Sequence, residues 1–302
     1  MSEIQPTPNR NFIAKIFISS DEPRLRAGWR LLLQTLLMIL VAVILQSALG
    51  VFFVPGKSDN TALFISQIVE LVVFASSIYI ARRFLDKRSF VSLGLQINKQ
   101  AAADILIGIA ITFVMMGLIY LAEVAAGWLT FESFAWQTES AASVITGVLT
   151  FFVGFIFVGW NEELLSRGYH LQTLVSGTNL FWGVVISSSV FGLAHLGNPN
   201  ATWVSAAGIF FAGLFLAYGY LRTGQLWLSI GLHIGWNFFE GVIFGFPVSG
   251  LDIYRLIRHQ IQGPEIWTGG AFGPEAGLIV LPALAIGSAL IYLYTQNRRS
   301  AG

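Results

Sequence analysis

Eight apolar stretches decide what this chain can fold into. They run over about 31–54, 61–81, 104–127, 142–172, 178–197, 204–221, 225–244 and 275–295. Each is near the roughly 20 residues that a helix needs to cross a bilayer. Between them, "VPGKSDN", "VSGTN", "GNPN" and "RTGQ" supply the Gly, Pro and Asn that break helices. Composition agrees: 55% of the 302 residues are hydrophobic and 11% charged, against about 25% charged in a soluble domain. The expected fold class is all-α, a polytopic transmembrane helix bundle of about eight spans. The fourth stretch is longer than a bilayer requires, so its last turns are expected to emerge into water. Pro282 is expected to kink the last span, which a helical bundle tolerates.

Lys and Arg give the orientation, because they collect on the cytoplasmic side. With the N-terminus inside, residues 1–30 and the 82–103 connection carry most of them, including Arg10. Arg167, Arg222, Arg298 and Arg299 fall on the same side, and only Lys57, Arg255 and Arg258 of the 17 remain outside. Both termini are therefore expected in the cytoplasm. The chain divides into a polar cytoplasmic tail (1–30), three spans (31–141), a core (142–241) and a last part (242–302) with an outer loop and the final span. The 245–274 segment is expected to be a surface loop, with an interfacial helix over "LDIYRLIRHQIQ" as the alternative. The first 30 residues show no apolar stretch with a small-residue cleavage site, so no signal peptide is read. A net charge of +1 without a basic patch speaks against nucleic acid as a partner. The absence of cysteine excludes disulfides, a thiol nucleophile and Cys-ligated metal. A multi-pass protein of the cell membrane is expected, with the lipid bilayer as its surroundings; the sequence is silent on oligomeric state.

Charges at membrane depth are costly and mark function by default. Three clusters stand out: Glu162-Glu163-x-x-x-Arg167, "FGLAH" from Phe191 to His195, and "HIGWN" from His233 to Asn237. In the last two the named ends, like Glu163 and Arg167 in the first, stand at i, i+4 on one helix face. Glu162 points about 100° away from Glu163, so one carboxylate can pair with Arg167 while the other faces elsewhere. Counting residues from the neighbouring turns puts Glu162, His195, His233 and Asn237 at overlapping depths once helix tilt is allowed. A carboxylate can deprotonate water, imidazoles can hold a metal or polarise a carbonyl, and an amide can donate to an oxyanion. That set can support peptide hydrolysis. There is no His-Glu-x-x-His, so a zinc ion would need ligands from separate helices.

At these motifs the chain resembles the CPBP intramembrane proteases, a family that includes the type II CAAX prenyl endopeptidase and bacterial proteins of bacteriocin processing and self-immunity. "EELLSR", "FGLAH" and "HIGWN" occur in the family's order, and "RGY" and "LHIGWNF" extend the likeness over about 142–241. The resemblance implies that Glu162 activates water, His195 positions it, and His233 and Asn237 stabilise the oxyanion. Glu163 and Arg167 would hold the site together, and Phe191 would shape it. It also implies a peptide or membrane-protein substrate. Either zinc, held by His195, His233 and Glu162, or a metal-free glutamate mechanism fits the family. Two other readings stand beside the endopeptidase: a non-catalytic scaffold or immunity protein of the same fold, and a proton-coupled transporter using Glu162 and the histidines as a relay.

The remaining polar residues read more plainly. Glu70 lies mid-span with no evident partner. Glu123 and Glu240 fall toward outer span ends and are expected at the interface. His170 is expected to be solvated and His259 to lie in the outer loop. The spacings Gly208/Ala212, Gly213/Ala217 and Gly231/Gly235 fit close helix packing.

Overall fold

A computed structural model describes residues 12–19, 23–49 and 60–298. Arg10, Lys57, Arg299, part of the 1–30 tail and most of the "VPGKSDN" turn lie outside the described residues. Eight principal helices occupy the expected stretches: α1 (Ala27–Leu49), α2 (Asn60–Ile80), α3 (Lys99–Ala125), α4 (Ala141–Glu163), α5 (Leu180–Ala194), α6 (Trp203–Thr223), α7 (Trp227–Asn237) and α8 (Val280–Thr295). Among the described residues, five helical segments are long and apolar enough to cross a membrane; the shorter α8 is apolar but below that length. The protein is a polytopic helical membrane protein.

The helix breaks read from sequence work as caps. Asn179 of "VSGTN" accepts from Trp182 N at 3.0 Å to start α5. Thr202 and Ser205 form a reciprocal capping box at α6. Gly224 of "RTGQ" ends α6 at φ 64°, a left-handed conformation that suits glycine. Pro282 does not kink α8. It occupies the third position of a helix that starts at Val280, where its missing N–H would have had no intrahelical partner.

Two departures from regular α-helix fall at motif ends. α4 passes at Leu164 into a π-helical stretch through Leu171, then into a short helix to Gly177. α7 passes into another at Phe238. Such π turns are rare and concentrate at functional sites.

The centre of the bundle is the crossing of α3 and α7. A Cβ at Gly108 would lie 2.6 Å from Leu232 N, and one at Gly231 would lie 2.3 Å from Ile105 O. These glycines let the two backbones touch, as membrane interfaces do without a hydrophobic drive to hold helices together. Met115, Met116, Leu228 and Leu232 form the adjoining buried core with Phe215 of α6 and Leu284 of α8.

The 245–274 segment is neither a plain loop nor a helix over "LDIYRLIRHQIQ". β2 (Ile257–Ile261) pairs antiparallel with β1 (Leu129–Phe134), with a bulge between Phe131 and Ser133. Ile257, His259 and Ile261 alternate with Arg258 and Gln260, a period of two rather than 3.6. Arg258 pairs with Glu139 and donates to Thr138 Oγ1 at 2.7 Å, fastening the strand to the α4 entrance.

Candidate active site

The two adjacent glutamates at the end of α4 face different ways. Glu163 is fully buried. Its Oε1 accepts from Arg167 Nη1 at 2.7 Å and from His233 Nδ1 at 2.9 Å. The intrahelical ion pair read from sequence is present, and Glu163 additionally reaches α7. Arg167 donates through Nη2 to Gly213 O at 3.2 Å and lies 4.2 Å above the Phe191 ring, within cation–π range. Phe191 also packs against both imidazoles, with ring centroids 4.8 Å from His195 and 6.2 Å from His233.

Glu162 turns the other way, into a cavity of about 550 Å³ that His195, His233, Asn237 and Phe191 also line. The structure thus brings together four side chains from α4, α7 and the 3-10 turn His195–Gly197 that follows α5. Glu163 and Arg167 stand behind this wall. His195 Nδ1 lies 2.8 Å from Phe191 O. A carbonyl only accepts, so Nδ1 carries the proton. The Glu163 carboxylate assigns the Nδ1 proton of His233 in the same way. In their neutral forms both rings therefore turn Nε2 lone pairs to the cavity. Each Nε2 lies 3.9 Å from one atom, Glu162 Oε2. That oxygen is itself buried and accepts no hydrogen bond from the described residues.

His, His and Glu are chemically suitable ligands for zinc. Around a tetrahedral ion with bonds of about 2.05 Å, however, donors sit about 3.3 Å apart. The 3.9 Å spacings here are wider, and among the described residues no group of three His, Cys, Asp or Glu is close enough to hold a metal ion. As placed, the donors do not fit a bound ion.

Other expectations change. Glu123 and Glu240 are not interfacial: both are fully buried, and their carboxylate oxygens have no hydrogen-bond partner among the described residues. Position along a span gives depth, but not which face meets the bundle. His170 is half-buried. It lines the cavity, because Glu162, Ser166 and His170 recur every four residues on one face. His259 is buried against Phe246, and its Nε2 donates to Phe244 O at 2.8 Å. Glu70 of α2 lines the cavity too.

Sequence reasoning missed Glu275. It stands on the 3-10 turn Pro274–Ala276 and lines the cavity. Its Oε1 accepts from Trp236 Nε1 at 3.1 Å, and its Oε2 from Ser249 N at 2.9 Å and Oγ at 2.7 Å. Ser249 O in turn accepts from Asn198 Nδ2 at 3.1 Å. Glu275 thereby ties α7 to the connection after His195. The one signal in the sequence was an acid at the head of an apolar span, inside "GGAFGPEAG".

The helical bundle thus turns a carboxylate, two imidazoles and an amide onto one internal cavity. Residues 143–239, which carry all three motifs, match the family described as Type II CAAX prenyl endopeptidase Rce1-like. The chain is also similar to "Putative membrane peptidase YdiL" of Bacillus subtilis (strain 168), 28% identical over 137 residues, which cover 45% of this chain and 52% of that protein. The chain thus spans about half the length of the curated relative it matches.

Proposed function

We propose that the protein is an intramembrane endopeptidase that cleaves a peptide bond with a water activated by Glu162. The reading rests on one observation above all: His195 Nε2 and His233 Nε2 both lie 3.9 Å from Glu162 Oε2, a buried oxygen without a hydrogen-bond partner among the described residues. That spacing accommodates a water oxygen about 2.8 Å from a carboxylate oxygen and an imidazole nitrogen together. Glu162 takes the water's proton while His195, its ring fixed through Phe191 O, orients the water. His233 and Asn237 face the carbonyl oxygen. His233 donates there when it carries a second proton, whose charge Glu163 balances across the 2.9 Å bond. The carboxylate behind the imidazole serves as it does in a catalytic triad, holding ring and tautomer.

The family and the relative both carry peptidase names, which favours hydrolysis over the scaffold and transporter readings. The spacing of the donors favours the metal-free mechanism. The location of the cavity within the bundle favours hydrophobic or membrane-bound peptide substrates. The test incubates purified wild type and Glu162→Gln with a membrane-peptide library read by mass spectrometry, with and without a chelator. Cleavage by wild type that survives the chelator and disappears with Glu162→Gln is expected. Cleavage that persists in Glu162→Gln overturns the assignment of the base, and loss with the chelator alone overturns the metal-free step.

A further inference from the structure

Glu70 is an acid that the three motifs leave unused. It is the only charged residue of α2. Even so, it lines the same cavity as Glu162, with Gln67 and Phe74 marking the cavity face of α2 at i−3 and i+4. Asn161 Nδ2 donates to Gln67 O at 3.1 Å. The residue beside Glu162 therefore ties α4 to α2 one turn away from Glu70.

Cleaving an amide requires a proton for the departing nitrogen, since an amide anion is a very poor leaving group. Glu162 holds the proton it took from water on the attacking side, and the groups beside it supply the departing nitrogen badly. Neutral His195 and His233 turn lone pairs, not N–H groups, toward Glu162, and a second proton on His233 is spent on the oxyanion. Arg167 stands behind the wall, engaged by Glu163, Gly213 O and Phe191. Two carboxylates facing one low-dielectric cavity share a proton more readily than they both ionise. That leaves one base and one acid on the same cavity.

We propose that Glu70 is a catalytic acid that protonates the leaving amine; the assignment rests on the hydrolase reading above. In the first half of the reaction Glu162 takes a proton from water, and the water oxygen bonds to the carbonyl carbon. In the second half the carbon–nitrogen bond breaks, its electron pair stays on nitrogen, and nitrogen takes the Glu70 proton. A carboxylic acid and a neutral amine result, with Glu162 protonated and Glu70 ionised. Transfer of one proton from Glu162 to Glu70 restores the resting state.

The test compares two substrates with the same acyl segment: a quenched-fluorescence peptide chosen from the cleaved library members, and its p-nitrophenyl ester, whose leaving group needs no proton. Glu70→Gln, which keeps the shape of the side chain, should slow the peptide about a hundredfold and the ester less than about threefold. Glu162→Gln should slow both. Equal slowing of both substrates by Glu70→Gln would mark a structural role and overturn the proposal, as would no slowing of either. Unimpaired turnover in Glu162→Gln would instead bring down the hydrolase reading itself. Infrared difference spectroscopy supplies a readout that needs no turnover. The wild type should show a protonated-carboxyl band that Glu70→Gln removes, and an unchanged band would overturn the proposal.

Discussion

Replacing Arg167 with Met tests how the site is held together. The guanidinium makes a 2.7 Å bond to Glu163, and both side chains are at most 3% exposed. Removing one partner of a buried pair costs about 3–5 kcal/mol, because the other charge is left uncompensated. Loss of the stacking on Phe191 contributes to the upper part of that range, at up to about 2 kcal/mol for a desolvated cation–π contact. Among the described residues, His233 would then be the one remaining hydrogen-bond partner of Glu163 Oε1. A loss near 4 kcal/mol is expected, measured by SDS-driven unfolding in mixed micelles followed by tryptophan fluorescence. Arg167→Lys should fall between wild type and Met, since a point charge cannot reach Glu163 and Gly213 O with one rigid fork. Pairing Arg167→Met with Glu163→Gln should recover part of the loss, with a coupling of about 2–3 kcal/mol. A cost below about 1 kcal/mol, the range of solvent-exposed pairs, or strict additivity in the double variant would refute the reasoning.

Two other perturbations probe the frame around the site. Gly231→Val should destabilise the bundle by about 1–3 kcal/mol in the same unfolding assay, because even a first carbon at Gly231 lies 2.3 Å from Ile105 O; an unaffected variant would show that α3 and α7 separate freely. His259 has its pKa lowered from 6.5, chiefly by burial and secondarily by Arg255, against the bond to Phe244 O. The folded state therefore favours the neutral ring: its stabilisation is complete above pH 6.5 and is lost as pH falls through the lower folded value. Stability should decline between about pH 7 and 5 in wild type, and the decline should be shallower in His259→Gln; an equal decline in both would refute the assignment.

Whatever depends on neighbours along the chain was legible in the order of the residues. Runs of about 20 apolar residues require helices in lipid, where every backbone group must be satisfied internally. Asn179, Thr202 and Gly224 set helix ends through bonds to residues three or four away. Glu163 and Arg167 pair because four residues return to one helix face. His195 finds Phe191 O over the same interval. Local geometry also separated Glu162 from Glu163, and the three motifs singled out the residues that now surround one cavity.

Only the tertiary structure decided what depends on the rotation of one helix against another. The bond from Glu163 to His233 joins residues 70 apart. Glu70 and His170 join the cavity, and Glu123 and Glu240 lie buried, because of which side of a helix meets the bundle, a choice that uniformly apolar spans do not encode. Glu275 lies among glycines with no periodicity, and only its bonds to Trp236 and Ser249 show what it holds. β2 pairs with a strand some 130 residues earlier, and the mixed run around it suited a helix or a loop equally well until β1 supplied the ladder. Periodicity fixes each helix and its local bonds, whereas the register between helices is set by packing, here by glycines that let α3 and α7 come into backbone contact.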